Sequence, residues 1–170
     1  LTNYRKERNT MPIQKKILIA EENGEFLRNM LNAFRGFGFE CITVAKDGAE
    51  VINAIEKFSP DIVVMESFMA RFDALAVMQR MQAMKMQKKP CFTVLVNTMN
   101  DSLEQQMISS GASYCFIKPV DMKSFTERIT QLAGYEHKDK NAIMTLHAAN
   151  DIDLEETVSD IMHELGVPAH

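Results

Sequence analysis

Short apolar runs alternate with segments of helical periodicity along most of this chain. Five runs are rich in apolar residues and carry few charges, as strands buried on both faces of a sheet do. They span residues 16–20, 39–45, 61–65, 91–96 and 113–117. A segment with apolar residues at three- and four-residue spacing follows each run, and this spacing predicts a helix. Strands that alternate with helices in this way predict an α/β domain, a doubly wound parallel sheet with helices on both faces.

Short polar side chains mark where the helices should begin. A side-chain oxygen just before a helix accepts a hydrogen bond from a free N–H group of the first turn. The aspartates in such positions are Asp47, Asp73, Asp101 and Asp121. We therefore expect helices that start directly after each of these four residues.

Methionines are concentrated in the third predicted helix, at Met78, Met81, Met84 and Met86. We expect Met81 and Met84 to lie in the core and Met86 to be exposed. A methionine-rich groove for a partner is the alternative, because flexible thioether side chains adapt to varied surfaces.

Composition and charge disfavour several classes of protein. Hydrophobic residues make up 46% of the chain and charged residues 25%, which is typical of globular domains. The net charge of −4 disfavours a basic nucleic-acid-binding domain. The sequence shows no apolar run of membrane-spanning length and no signal-peptide pattern, and its three cysteines lack CxxC spacing. We therefore expect a protein of the reducing cytoplasm that does not enter a membrane.

The two ends of the chain differ in charge from the middle. Residues 1–16 carry a net charge of +4 and residues 135–170 a net charge of −6. Near the C-terminus an amphipathic pattern predicts a helix with no partner of its own to pack against. The predicted segments are a disordered extension (1–14), one domain (15–134), a linker (135–151) and the first helix of a truncated second domain (152–170).

Charged side chains follow three of the predicted strands at the point where each strand ends. Glu21 and Glu22 follow the first strand, Glu66 the third and Lys118 the fifth. Because the carboxyl ends of parallel strands meet at one edge, we expect these groups to converge in one crevice. Three close carboxylates need a counter-charge, either Lys118 or a divalent cation such as Mg²⁺, which prefers oxygen ligands. The alternative is that the acids only mark where solvent begins.

These residues and their surroundings resemble the response-regulator receiver domain, the flavodoxin-like (βα)5 module of two-component signalling. That family has an acidic pair after strand one, a phosphoacceptor aspartate after strand three, a serine or threonine after strand four and Lys-Pro after strand five. The corresponding residues here are Glu21, Glu22, Glu66, Val96, Lys118 and Pro119. The resemblance covers residues 15–134 and implies a cis Lys-Pro bond, a histidine kinase or phosphotransferase as partner, and no enzyme activity. It also implies Mg²⁺ as cofactor, bound weakly by Glu22 and Glu66 with Glu21 as a further ligand.

The departures from the family fall on the residues that carry its chemistry. Glu66 stands at the acceptor position, Val96 at the position of the switch hydroxyl and Cys115 at the position of the switch aromatic residue. Each glutamate is longer than aspartate by one C–C bond, roughly 1.5 Å. Misplacement of that size costs on the order of 100-fold in a reaction that depends on positioning. We therefore expect impaired phosphorylation, with Glu66 either a built-in mimic of the phosphorylated state aimed at Lys118 or a relic without function.

The C-terminal segment indicates which family of response regulators the chain resembles most. Residues 161–170 resemble the first helix of the DNA-binding effector domain in the stage-zero sporulation protein A family. This implies a sporulation-type response regulator of a phosphorelay, whose receiver controls dimerisation and which contacts DNA only through an effector domain beyond His170. The alternative is a stand-alone pseudo-receiver that binds a kinase, a phosphotransferase or another regulator.

Overall fold

The computed structural model describes residues 14–134. The predicted extension before Gln14, the predicted linker at 135–151 and the predicted helix within 152–170 lie outside the described residues. None of the helices in the described part of the chain is long and apolar enough to cross a membrane.

Five strands alternate with five helices, as the sequence predicts. The strands are β1 (Lys16–Ala20), β2 (Glu40–Val44), β3 (Ile62–Glu66), β4 (Cys91–Val96) and β5 (Ala112–Ile117). The helices are α1 (Gly24–Gly36), α2 (Gly48–Phe58), α3 (Ala74–Ala83), α4 (Asp101–Ser110) and α5 (Met122–Gly134).

The strands form one sheet in the order β2-β1-β3-β4-β5, and every neighbouring pair is parallel. Leu18 of β1 aligns with Ile42 of β2 on one side and with Val63 of β3 on the other. The chain therefore leaves β1 in one direction and later returns to pair β3 on its opposite side. This order confirms the predicted flavodoxin-like α/β fold, and it places the crevice for a ligand at the carboxyl ends of β1 and β3.

Two hydrophobic cores cover the two faces of the sheet. Helices α1 and α5 pack on one face, mainly through Met30, Phe34, Phe125 and Ile129. Helices α2, α3 and α4 pack on the other face, mainly through Val51, Ile55, Val77, Met78 and Met107. Each large side chain that is fully buried contributes roughly 1.5–3 kcal/mol. These two layers hold the strand ends, and with them the site, in fixed positions.

Three of the four predicted helix caps are confirmed. Oxygens of Asp47, Asp73 and Asp121 each accept a hydrogen bond from a backbone N–H group of the first turn of the helix that follows. The prediction for α4 is wrong by one residue, because the Oδ1 atom of Asn100 accepts from the N–H group of Leu103. An amide oxygen is as good an acceptor as a carboxylate at this position, so the cap lies one residue earlier.

The prediction for the end of α3 is also corrected. The helix ends at Ala83, so that Met84 is its C-cap residue and Met86 lies beyond it. Both side chains are partly buried and pack against the core that α2, α3 and α4 cover. Met86 is therefore not the exposed residue that the helical spacing predicted, because the chain leaves the helix and turns back toward the core.

Candidate functional site

The candidate site lies at the carboxyl edge of the sheet. Glu21 follows β1, Glu66 is the last residue of β3, Val96 is the last residue of β4, and Lys118 follows β5. The N–H group of Lys118 donates to the carbonyl oxygen of Val96 at 2.8 Å, which fixes the backbone of the β5 end beside β4. The bond from Lys118 to Pro119 is cis, as the family resemblance implies.

Both carboxylate oxygens of Glu66 contact lysine ammonium groups. The Nζ atom of Lys118 donates to Oε1 of Glu66 at 2.5 Å. The Nζ atom of Lys46 lies 3.7 Å from Oε2 of Glu66. The side chain of Glu66 is 18% exposed and those of the two lysines about a third. The position predicted for the phosphoacceptor is thus held in an ion-paired cluster close to the surface.

Glu21 is the buried member of the acidic pair, with its side chain only 2% exposed. Its Oε1 atom accepts hydrogen bonds from the N–H groups of Glu22 and Asn23, both at 2.8 Å. The same oxygen lies 3.8 Å from the Nζ atom of Lys46. Its Oε2 atom is buried and has no hydrogen-bond partner among the described residues. Such an atom carries a desolvation cost unless a cation or water supplies the partner.

Glu22 has a different place from its neighbour. It is exposed, and its Oε1 atom accepts from the backbone N–H group of Lys46 at 3.3 Å. The three carboxylates therefore gather around one residue, Lys46, through its side chain for Glu21 and Glu66 and through its backbone for Glu22. The predicted convergence is observed, but its centre is a lysine that the sequence analysis did not single out.

Lys46 is held in place by the backbone around it. Its carbonyl oxygen accepts from the N–H group of Ala70 at 3.1 Å, and the N–H group of Gly48 donates to Ala70 at 2.9 Å. Asp47 also pairs with Ala70 in an isolated parallel bridge. These contacts tie the loop after β2 to the loop after β3. The signal was available in the sequence, because Lys46 follows a predicted strand, and every strand end of a parallel sheet lies at the same edge.

The two predicted switch positions are apolar or weakly polar. Val96 is 1% exposed, and its side chain can neither donate nor accept a hydrogen bond. Cys115 lies on β5, half-buried against the core that α2, α3 and α4 cover. Burial, together with the negative charge of Glu104, raises the pKa of the Cys115 thiol to about 11. The thiol is therefore neutral near pH 7, and neither position offers a hydroxyl group to a phosphoryl oxygen.

The residues do not form a ready site for Mg²⁺. Within residues 14–134, no group of three His, Cys, Asp or Glu side chains is arranged to hold a metal ion. The Lys46 ammonium group lies between Glu21 and Glu66, where a cation would have to take its oxygen ligands. Counter-charge comes from two lysines, whereas the sequence singled out Lys118 alone. Weak binding of Mg²⁺ by Glu22, Glu66 and Glu21 stays a prediction.

Comparison with known proteins agrees with this architecture. The family model of the response regulator receiver domain matches residues 17–130. The receiver domain of the response regulator NarL from Mycobacterium tuberculosis is 14% identical, with a TM-score of 0.65 over 72% of this chain and 98% of that chain. The chemotaxis response regulator CheY4 of Vibrio cholerae is 16% identical, with a TM-score of 0.63 over 70% of this chain and 98% of that chain.

A third solved structure comes from a different kind of protein. The receiver domain of a signal transduction histidine kinase from Syntrophus aciditrophicus is 15% identical, with a TM-score of 0.63 over 74% of this chain and 94% of that chain. At these identities the structural likeness shows the fold alone, whereas the family model spans most of the chain. The protein therefore belongs to the response regulator receiver domain family of two-component signalling.

Proposed function

We propose that this chain is a degenerate receiver of a sporulation-type DNA-binding response regulator, and that its phosphorylation is impaired. Receiver domains are signalling modules, generally not enzymes, that act with histidine kinases or phosphotransferases and typically bind Mg²⁺ at the phosphorylation site. In this proposal the receiver controls dimerisation and effector activity within a phosphorelay. A histidine kinase or phosphotransferase is its upstream partner, and DNA is reached only through the effector domain.

The observation that carries the proposal is the ion pair between Glu66 and Lys118. A carboxylate that accepts a phosphoryl group must present a free oxygen in line with the donor. Here Oε1 of Glu66 is bound by Lys118 at 2.5 Å and Oε2 lies 3.7 Å from Lys46. Oε1 is therefore hydrogen-bonded, and Oε2 lies beside a second positive charge, before any donor arrives. We propose that Glu66 is a built-in mimic, and the ion pair supports this because a carboxylate already engages the lysine that the family directs at the acidic site.

The switch positions support the same proposal. Val96 cannot hydrogen-bond a phosphoryl oxygen, so an adduct on Glu66 would have no hydroxyl partner at the end of β4. Cys115 replaces the switch aromatic residue with a small, neutral thiol. A phosphoryl group would therefore lack the side chains that transmit its presence. We infer a receiver that keeps one conformation whether or not a phosphodonor is present. Weak Mg²⁺ binding by Glu22, Glu66 and Glu21 is then what remains of the family's metal site.

Incubation with a small acyl phosphate and Mg²⁺, followed by intact-mass spectrometry, tests the proposal. We expect the mass to stay unchanged, while a receiver with an aspartate acceptor treated in parallel gains one phosphoryl group. The Glu66→Gln variant is the matched control, since it removes the candidate acceptor and keeps the side-chain length. A phosphoryl adduct present in the native protein and absent from this variant would overturn the proposal.

The sporulation and DNA-binding parts rest on the resemblance of residues 161–170, which lie outside the described residues. Sequencing of the gene past the codon for His170 tests them. A continuing reading frame that encodes a helical DNA-binding domain is expected. A stop codon at that point would contradict the regulator and favour the stand-alone pseudo-receiver.

The stand-alone interaction module has one structural observation in its favour. Phe68 is 80% exposed two residues after Glu66, and Ile117 is 55% exposed directly before Lys118. Contiguous apolar patches are typical of contact surfaces, and these two side chains beside the ends of β3 and β5 are the candidates for one. If this module is the function, a purified histidine kinase or phosphotransferase should bind the protein, and the Phe68→Ser variant should bind more weakly. Equal binding by both proteins would remove this support.

A further inference from the structure

The charge balance of the acidic pocket is met almost entirely by the chain itself. Glu21, Glu22 and Glu66 bring three negative charges, and Lys46 and Lys118 bring two positive ones. In the described structure, the Nζ atom of Lys46 lies within 3.8 Å of an oxygen on each of two carboxylates that come from different strands. Two carboxylates bridged by one positive centre is the arrangement that a divalent cation would otherwise produce.

A second observation shows that the pocket is built to hold a positive charge. Oε2 of Glu21 is buried and has no hydrogen-bond partner within residues 14–134, and that side chain is only 2% exposed. An ionised carboxylate in such a place is costly unless a cation lies close by. Lys46 supplies that charge to the other oxygen of the same carboxylate. Burial of the Glu21 carboxylate is therefore less costly in free energy with the Lys46 ammonium group beside it than without it.

Hydrogen bonds hold the backbone of Lys46 at the edge of the pocket. Glu22 accepts from its N–H group at 3.3 Å, and its carbonyl oxygen accepts from Ala70 at 3.1 Å. The next residues are held in the same way, because Arg71 donates to Asp47 at 2.7 Å and Gly48 packs directly beneath Phe72. The pocket is thus closed by a loop that is fixed on both sides. A cation that enters must displace the ammonium group while the backbone stays in place.

We propose that Lys46 takes the place of the divalent cation and makes this receiver pocket independent of Mg²⁺. The inference deepens the proposed function and rests on the same pocket. It differs in cause from crowding by the longer glutamates, because it assigns the weak metal binding to one removable charge. Without that charge, oxygens of Glu21 and Glu66 would be left facing the vacated position.

Calorimetric titration with Mg²⁺, in the absence of any phosphodonor, tests the inference on the native protein and three variants. Lys46→Met removes the charge and keeps the length of the side chain. Lys46→Arg keeps the charge. Lys57→Met makes the same change in net charge on α2, whose last turn lies away from the pocket. We expect Lys46→Met to bind Mg²⁺ at least about tenfold more tightly than the native protein, because a repelling charge within about 4 Å of the metal is removed. The other two variants should bind as the native protein does.

Two results would overturn the inference. One is equal affinity of the native protein and Lys46→Met for Mg²⁺. The other is equally increased affinity in Lys46→Met and Lys57→Met, which would show a general effect of net charge. The titration contains no phosphodonor, so its result does not depend on whether Glu66 can be phosphorylated. Failure of the proposed function and failure of this inference are therefore distinguishable.

A measurement on the native protein alone covers the case in which Lys46→Met does not fold. Thermal unfolding in magnesium chloride is compared with unfolding in sodium chloride of the same ionic strength. A ligand that binds only the folded state raises the melting temperature by an amount that grows with its affinity, so the inference predicts nearly equal melting temperatures in the two salts. A clearly higher melting temperature in magnesium chloride would contradict it.

Discussion

The two ends of strand β3 carry the same kinds of residue in different arrangements. Asp61 directly precedes the strand, and Glu66 ends it. Each acid has two lysine partners, Lys15 and Lys88 for Asp61 and Lys46 and Lys118 for Glu66. The difference is a backbone contact, because Oδ2 of Asp61 also accepts from the N–H group of Lys16 at 2.7 Å. Glu66 receives both of its contacts from side chains.

This difference separates a structural cluster from an adaptable one. Asp61 is 6% exposed and joins the start of β1 to the start of β3. Burial would raise the pKa of its carboxyl group, but the hydrogen bonds from Lys16 and Lys88 outweigh burial and lower the pKa. Glu66 lies nearer the surface, and its partners can move into water without breaking the sheet. Asp61 and its two lysines therefore stabilise the fold, whereas Glu66 and its two lysines form part of the candidate site.

The largest expected effect is that of Asp61→Asn. Both carboxylate oxygens of Asp61 accept hydrogen bonds, so an amide must turn its NH₂ group toward one of the donors. Loss of a charge-assisted hydrogen bond at a buried position should lower the free energy of unfolding by about 2 kcal/mol. Urea unfolding of the native protein and the variant measures this loss. A loss below about 0.5 kcal/mol would show that Asp61 contributes no more than a surface ion pair does.

The next effect is that of Gly48→Ala, which probes the backbone of the site instead of its charges. A Cβ atom on Gly48 would lie 2.2 Å from the carbonyl oxygen of Phe72, so the two loops must separate. We expect a loss of about 1–2 kcal/mol in the free energy of unfolding, as in other overpacked positions. The matched control is Gly36→Ala, because a Cβ atom there meets nothing within 4 Å. Equal stability of the two variants would show that the loops yield freely.

A smaller effect is expected for Glu66→Gln, the counterpart of Asp61→Asn. Here too an amide must face one donor with its NH₂ group, but Lys46 and Lys118 are 31% and 30% exposed and can turn into solvent. The free energy of unfolding should change by less than about 1 kcal/mol. Urea unfolding of the two amide variants side by side tests the comparison. If the loss in Glu66→Gln equals that in Asp61→Asn, the two clusters are not different in kind.

The smallest expected effect is the change in the free energy of unfolding at low pH. A carboxyl group with a lowered folded-state pKa stabilises the fold above its ordinary pKa, about 3.9, and this contribution is lost as the pH falls through the folded-state value. Asp61 and Asp121 both have lowered pKa values. The native protein should therefore lose stability below about pH 4, and Asp61→Asn should lose less over the same range. Urea unfolding at a series of pH values checks this, and parallel curves for the two proteins would contradict it.

The parts of the molecule that follow from local chemistry could be predicted from the sequence. The strands β1, β3 and β4 are apolar apart from Lys16, Glu66 and Thr93, because both of their faces are buried. Asp47 and Asp73 cap helices because their side chains reach N–H groups two or three residues away. The convergence of Glu21, Glu66 and Lys118 followed from the rule that parallel strands end at one edge.

The parts that depend on contacts between distant loops could not be predicted. The place of Lys46 at the carboxyl edge of the sheet could have been predicted, because it follows a strand. Its contact with Glu66 could not, because it depends on the hydrogen bonds that tie the loop after β2 to Ala70. Met86 is partly buried because the chain turns back after α3, which helical spacing cannot show. Oε2 of Glu21 lacks a hydrogen-bond partner in the described part of the chain, and this depends on how the side chain lies against Glu22 and Asn23. Packing geometry decides each of these.

A crystal structure grown in magnesium chloride with beryllium fluoride, a phosphoryl analogue, tests the central claim most directly. That claim is that Lys46 and Lys118 already neutralise Glu21 and Glu66, so that neither a metal nor a phosphoryl group is needed in the pocket. We predict electron density for the Lys46 ammonium group between the two carboxylates, the Glu66–Lys118 ion pair intact, and no metal or fluoride bound. An octahedral Mg²⁺ on these carboxylates, with beryllium fluoride on Glu66 and Lys46 turned into solvent, would contradict the account.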